Sequence, residues 1–341
     1  MKKFPVFVSV LFLAIVAGLM VDRAIFAAGA SAPASTQSSP DGAGNSADWS
    51  KVHSFAYQLQ SIDLEKIGRS HFDAIVIDYS PDGSDGRAFT AEQIQALQNS
   101  GNGTGAKKKV LAYLSIGEAE DYRFYWQPTW DKKNAGKLVA GKPVAANPAW
   151  LGPEDPDWHG NYKVKYWDPA WQAIVKQYVD KIIAANFDGI YLDIIDAYEF
   201  WGPDGESGLK RASSEQEMVD FVKELAHYAR VEKHRPDFAI FPQNGAELGK
   251  HVDYLAVVTG IGQEDTWYDG NKKNKPADTR DNLMNLDLFK AAGKTVLVID
   301  YVTQQPMIDD FYAKALAKGY IPYASVRALD KLTINAGHDP Q

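Results

Sequence analysis

The 341-residue chain contains no cysteine, which excludes disulfides, a thiol nucleophile, thiolate metal ligands and a lipid-modified N-terminal cysteine. Its seven histidines (His53, His71, His159, His227, His234, His251 and His338) include no pair at HxH or HxxxH spacing. A histidine-based zinc site is therefore not expected, while carboxylate-bound ions stay open. Positive charge is in short supply, with 36 Lys and Arg against 44 Asp and Glu and a net charge of −8. Such a balance disfavours nucleic acid and anionic membrane surfaces as partners and suits a cationic substrate, although solubility alone would explain the same excess. The 45% hydrophobic and 23% charged content is that of an ordinary globular protein.

The first 30 residues read as a targeting segment. Lys2 and Lys3 precede the apolar run Phe4–Val21, and small residues follow from Ala27 to Ala32. Cleavage after Ala30 fits a small-x-small pattern, with Ala28 a competing site and an uncleaved signal anchor the alternative. A secreted or periplasmic location follows, without membrane attachment once the segment is removed. Residues 31–48 (SAPASTQSSPDGAGNSAD) are too poor in apolar groups to fold and read as a flexible linker. Residues 49–341 are then one folded domain, expected to be a monomer.

Eight candidate strands follow Trp49: Phe55–Leu59, Ala74–Tyr79, Val110–Ile116, Gly189–Ile194, Phe238–Pro242, Tyr254–Thr259, Thr295–Tyr301 and Ile321–Val326. Most are short apolar runs closed by turn residues or carboxylates, as strands buried on both faces are. Helical patterns lie between them. Thr90 caps a helix to Asn99, and Asp168 with Pro169 opens one whose apolar residues run from Trp171 to Ile183 at helical spacing. Ser213 and Ser214 open a third, while Asn282–Ala292 and Ile308–Lys318 end at Gly293 and Gly319. Strands alternating with helices over about 290 residues predict a single α/β domain, a (β/α)8 TIM barrel. A doubly wound open sheet is the alternative, but no glycine-rich phosphate loop follows Leu59. Two features strain the barrel: the fifth and sixth strands are only about ten residues apart, and residues 117–167 form a long Trp-rich insertion after the third strand.

Carboxylates recur where these strands end, the rim at which barrel enzymes carry their chemistry. Asp78 and Tyr79 close the second strand, Glu118 follows the third, and Asp193 closes the fourth within FDGIYLDIIDAYEF, which also carries Asp196 and Glu199. Gln243, Asn244 and Glu247 follow the fifth, Glu264, Asp265 and Trp267 the sixth, and Asp300 with Tyr301 closes the seventh. A lone strand-end Asp is as readily structural as functional, but convergence on one rim favours function. Eight of the nine tryptophans lie after Tyr125. Exposed rings beside carboxylates suit sugars, and amino sugars especially. For Trp150 and Trp158 a small core inside the insertion is an equal reading. Glycosidic cleavage uses two carboxylates flanking the scissile bond.

The blocks VLAYLSIGEAEDYRFYW, FDGIYLDIIDAYEFW, FPQNGAEL and VDYLAVVTGIGQEDTWY resemble glycoside hydrolase family 114, the endo-α-1,4-polygalactosaminidase-like group, over about residues 50–330. The resemblance implies a (β/α)8 barrel, secretion, endo-cleavage of α-1,4-linked galactosamine-containing polysaccharide, and no metal or organic cofactor. It implies Asp193 and Glu247 as the catalytic pair, by analogy nucleophile and acid/base respectively. Asp78, Glu118, Tyr122, Gln243, Asn244 and Tyr301 fall in family-like blocks and would bind the sugar at the cleavage point. To these the strand-end reading adds Tyr79, Glu264, Trp267 and Asp300. Retention predicts carboxyl groups about 5–5.5 Å apart. A neutral α-glycan as substrate, or a binding protein without catalysis, are the alternatives. The stretch Pro128–Val164 departs from the family blocks.

Overall fold

The computed structural model describes residues 49–101, 103, 105–130, 138–139, 142–143 and 147–340. The expected targeting segment and linker lie outside them. Five parallel strands form one ladder in chain order: β1 (Phe55–Gln58), β2 (Ala74–Ile77), β3 (Lys109–Ser115), β4 (Gly189–Asp193) and β5 (Ala239–Pro242). Three more continue it: β6 (Gly260–Glu264), β7 (Thr295–Asp300) and β8 (Ile321–Ala324). A Gln243–Gly262 bridge joins the two ladders, with Asn244 N donating to Gly262 O at 2.8 Å. The last seam, β8 to β1, carries no ladder among the described residues. It closes through the Phe55 and Tyr323 rings, 5.7 Å apart, and through Leu59 N and Gln60 N, which both donate to Leu329 O. The architecture is the expected (β/α)8 barrel.

Helices follow the strands: α1 (Leu64–Gly68), α2 (Ala91–Asn99), α3 (Pro169–Ala184), α4 (Ala197–Trp201), α5 (Ser214–His227), α6 (Val252–Val257), α7 (Pro276–Ala291) and α8 (Gln305–Ala317). Local chemistry sets their ends. Thr90 and Gln93 form a reciprocal capping box on α2, and Asp168 accepts from Ala170 N with Pro169 at the first turn of α3. The buried face of α3 is Trp171, Val175, Tyr178, Val179 and Ile182, the stripe read from the sequence. Helix α7 starts at Pro276 rather than Asn282, because its first half is polar and only Leu286 and Phe289 are buried, so no apolar repeat marks its start.

The sixth strand is the main correction. Tyr254–Thr259, expected as strand, is largely α6, and the strand is Gly260–Glu264. The short spacing after the fifth strand came from that misplacement. A strand written GIGQE carries a single β-branched residue, Ile261, because positions 260 and 262 must stay free of side chains. A Cβ on Gly262 would overlap the Tyr191 hydroxyl, and one on Gly260 would overlap the Phe241 ring and the Thr295 carbonyl. Large rings from neighbouring strands fill the barrel at that level.

The insertion holds a three-stranded antiparallel sheet, with Asn161–Val164 between Glu118–Glu120 and Leu151–Glu154. Its aromatics form a core. Trp126 meets Trp130 and Tyr162, Trp130 meets Trp150, and Trp150 packs on Trp171 of α3 at 4.8 Å. Trp150 is thus a core residue, whereas Trp158 is half exposed. Among the described residues no helix is long and apolar enough to cross a membrane.

Candidate active site

Parallel register puts paired side chains on one face of the sheet. Ser115 of β3 pairs with Asp193 of β4, and Gln243 sits one step beyond the Pro242–Leu192 pair, its N–H on Leu192 O at 2.7 Å. Ser115, Asp193 and Gln243 therefore stand level on three adjacent strands. Ser115 Oγ and Gln243 Oε1 are buried and have no hydrogen-bond partner in the protein.

Asp193 is held at both oxygens. Tyr113 Oη donates to Oδ2 at 2.8 Å and Ile194 N to Oδ1 at 2.9 Å. Ile194 adopts φ +58°, a left-handed conformation that a β-branched residue rarely takes. The strain is held in place by Ile116 N, which bonds the Asp193 carbonyl at 3.1 Å, and by Gly117, where any side chain would strike the Ile194 carbonyl. Burial, and then the charge on Glu264, push Asp193 up to about 7 against the opposing hydrogen bonds from Tyr113 and Ile194.

Glu247 follows Gly245, whose φ of +61° turns the chain off β5 into the 3-10 turn Ala246–Lys250. Its carboxylate is exposed and accepts from Tyr198 Oη of α4 at 3.2 Å. Glu264 ends β6 with both oxygens engaged, one by Asn244 Nδ2 at 3.1 Å and the other by Tyr301 Oη at 2.7 Å. Asp196 and Glu199, just past Asp193, belong to the same cluster. Burial pushes Asp196 up to about 6, with Lys163 opposing and Glu264 and Glu247 reinforcing. Burial, then Asp196 and Glu247, push Glu199 up to about 7. Five carboxylates thus share one electrostatic neighbourhood at the strand ends of β4, β5 and β6.

The other residues expected to bind the sugar each have partners within the protein. Asp78 is buried against Arg123 at 2.8 Å, and Arg123 also binds Glu120 at 2.6 Å. Tyr79 is buried on Tyr178. Glu118 binds Lys163 at 2.6 Å and is pushed up to about 8, chiefly by burial. Asp300 is fully buried and accepts from the N–H groups of Thr266, Trp267 and Tyr268, which shapes the loop after β6. Trp267 is buried on Phe311. Tyr122 is about half exposed, with its hydroxyl on Glu120.

Tyr113, Tyr198 and Ser115 were not among the expected site residues. Tyr113 and Ser115 sit two apart on one strand, and the alternation of β3 was the signal that could have placed both on the inner face. Among the described residues no group of three or more His, Asp or Glu side chains is arranged to hold a metal ion. The cluster is suited to acid–base and nucleophilic work by paired carboxylates.

Known proteins resemble the chain over most of its length. The model of glycoside-hydrolase family GH114 matches residues 36–339. An uncharacterized protein of Methanocaldococcus jannaschii is 41% identical over 290 residues, 82% of this chain and 77% of that protein. One from Thermotoga maritima is 37% identical over 295 residues, 83% of this chain and 84% of that one. The glycoside hydrolase domain of PelA from Pseudomonas aeruginosa shares the fold at TM-score 0.58 and 18% identity, over 83% of this chain and 98% of that domain. Aspergillus fumigatus Ega3, solved in complex with galactosamine, shares it at TM-score 0.59 and 16% identity, over 86% and 99%.

Proposed function

The chain belongs to glycoside-hydrolase family GH114, and on that footing we propose that it is a secreted, endo-acting retaining hydrolase of α-1,4-linked galactosamine-containing polysaccharide. The observation that carries the substrate class is the gathering of Asp193, Asp196, Glu199, Glu247 and Glu264, each of the first three pushed toward its neutral form. An ammonium group on the sugar would add positive charge to a cluster on which Lys163 already acts at Asp196. The fold relative solved with galactosamine supports the same class.

In this reading the Asp193 carboxylate attacks the anomeric carbon while Glu247 protonates the departing glycosidic oxygen. Glu247 then takes a proton from water, whose oxygen displaces Asp193 and restores both groups. The N-terminal apolar run supports secretion.

The test is release of oligosaccharides from purified α-1,4-galactosamine polymer, followed by mass spectrometry. Asp193→Asn and Glu247→Gln are each expected to lower turnover by about a thousandfold or more with polymer binding kept. Near-normal turnover in either variant would remove that residue from the pair. Binding that does not weaken as salt rises would point to a neutral glycan.

A further inference from the structure

Asp193 carries a side-chain donor from the neighbouring strand. Tyr113 pairs with Tyr191, two residues before Asp193, so its ring rises along the inner face and its hydroxyl meets Oδ2 at 2.8 Å. The tyrosine is buried, so the hydrogen bond is made in a setting where a donor to a charged acceptor is worth more than in water. Together with the Ile194 N–H on Oδ1 it fixes the plane of the carboxyl group.

We propose that Tyr113 is a positioning residue of the hydrolysis, a role resting on Asp193 as nucleophile: its hydroxyl orients the Asp193 carboxylate and stabilises it as the anion. In the first step one Asp193 oxygen bonds to the anomeric carbon as the glycosidic C–O bond breaks, and the leaving oxygen takes its proton from Glu247. In the second, water attacks that carbon, Glu247 accepts its proton, and Asp193 leaves as a carboxylate. Tyr113 keeps its proton throughout, because burial and the Asp193 charge hold its hydroxyl well above the usual phenol range. It stabilises the anion at the start and again as the leaving group forms.

Several groups act on Asp193. Glu264 of β6 and Asp196 beyond β4 disfavour the anion, while Tyr113 of β3 and the Ile194 N–H favour it. Tyr57 of β1 and Tyr191 of β4 also face it, Tyr301 of β7 binds Glu264, and Lys163 and Glu247 act on Asp196. Removing the Tyr113 hydroxyl therefore leaves the two opposing carboxylates with less to counter them.

The experiment uses the whole protein labelled with ¹³C at the aspartate carboxyl carbons, with the Asp193 signal identified by its loss in Asp193→Asn. Tyr113→Phe is expected to raise the Asp193 midpoint by about one pH unit, roughly tenfold in proton affinity. The acidic limb of the kcat profile should move up by the same amount, with KM changed less than kcat. Glu264→Gln should move the midpoint the other way. A midpoint and limb that stay put in Tyr113→Phe, whatever happens to Tm, would overturn the proposal and leave a structural tyrosine. Should that variant fail to fold, 3,5-difluorotyrosine at position 113, a stronger donor, must lower the midpoint, and an unmoved midpoint again overturns it. Normal turnover in Asp193→Asn would overturn the nucleophile assignment instead, and the two failures are told apart.

Discussion

Substituting methionine for Arg123 removes the cation from between two buried carboxylates. Its guanidinium is fully buried, 2.8 Å from Asp78 and 2.6 Å from Glu120, and lies over the rings of Tyr122, Tyr178 and Tyr79. Methionine fills much of the volume but leaves the acids unpaired in a low-dielectric site. Breaking a buried pair this way costs about 3–5 kcal/mol. At about 2–4 °C per kcal/mol for a domain of this size, the loss in Tm is about 6–20 °C. Its pH dependence is diagnostic. Burial already raises Asp78 while Arg123 opposes that rise, so without Arg123 the folded-state value climbs further above the unfolded one. A carboxyl raised on folding is neutral and harmless at low pH and costs stability as pH rises toward its folded pKa. The gap between wild type and variant should then be largest near pH 8 and narrow toward pH 4. Thermal unfolding followed by circular dichroism across that range measures it. A gap below about 1 kcal/mol at pH 8, the value of an exposed pair, would refute the reasoning. In Asp78→Asn/Glu120→Gln/Arg123→Met no charge is left unpaired, and most of the lost stability should return.

Gly262→Ala places a methyl on the Tyr191 hydroxyl, so overpacking should cost about 1–3 kcal/mol in chemical denaturation; an unchanged midpoint would show that the barrel interior yields there. The wild type should grow more stable as pH falls from 8 to about 5, because Asp193 and Asp300 (each about 7), Asp196 (about 6) and Glu118 (about 8) take up protons on folding. Below about pH 4 the trend should reverse as Asp82, Asp253 and Asp309, all held below their usual range by hydrogen bonds, become protonated. A Tm that falls steadily from pH 8 to pH 5 would contradict the first sign, and one that keeps rising below pH 4 would contradict the second.

Much of the barrel was legible in the sequence because its signals are local. Caps such as Thr90 and Asp168 act within one turn, and the apolar stripe of α3 reports its own packing face. Strand β6 was not legible, since Gly260 and Gly262 exist to make room for Phe241 and Tyr191, side chains from other strands. Asp196 and Glu199 stood in the same stretch as Asp193, yet nothing in that stretch shows that Glu247 and Glu264 act on the same neighbourhood.

The sequence by itself determined the order of strands and helices, the row of carboxylates at the strand ends and the family likeness, all of which rest on neighbours along the chain. Only the tertiary structure decided which of those carboxylates gather into one electrostatic neighbourhood. Asp78, Glu118 and Asp300 look like Asp193 in sequence, and each is occupied by Arg123, Lys163 or three backbone N–H groups from another part of the chain. Asp193 owes its own setting to Tyr113, 80 residues away, and to the charge of Glu264 on a strand two places round the barrel. Charge and hydrogen bonding act through space, and a carboxylate's role is set by the groups that folding brings to it.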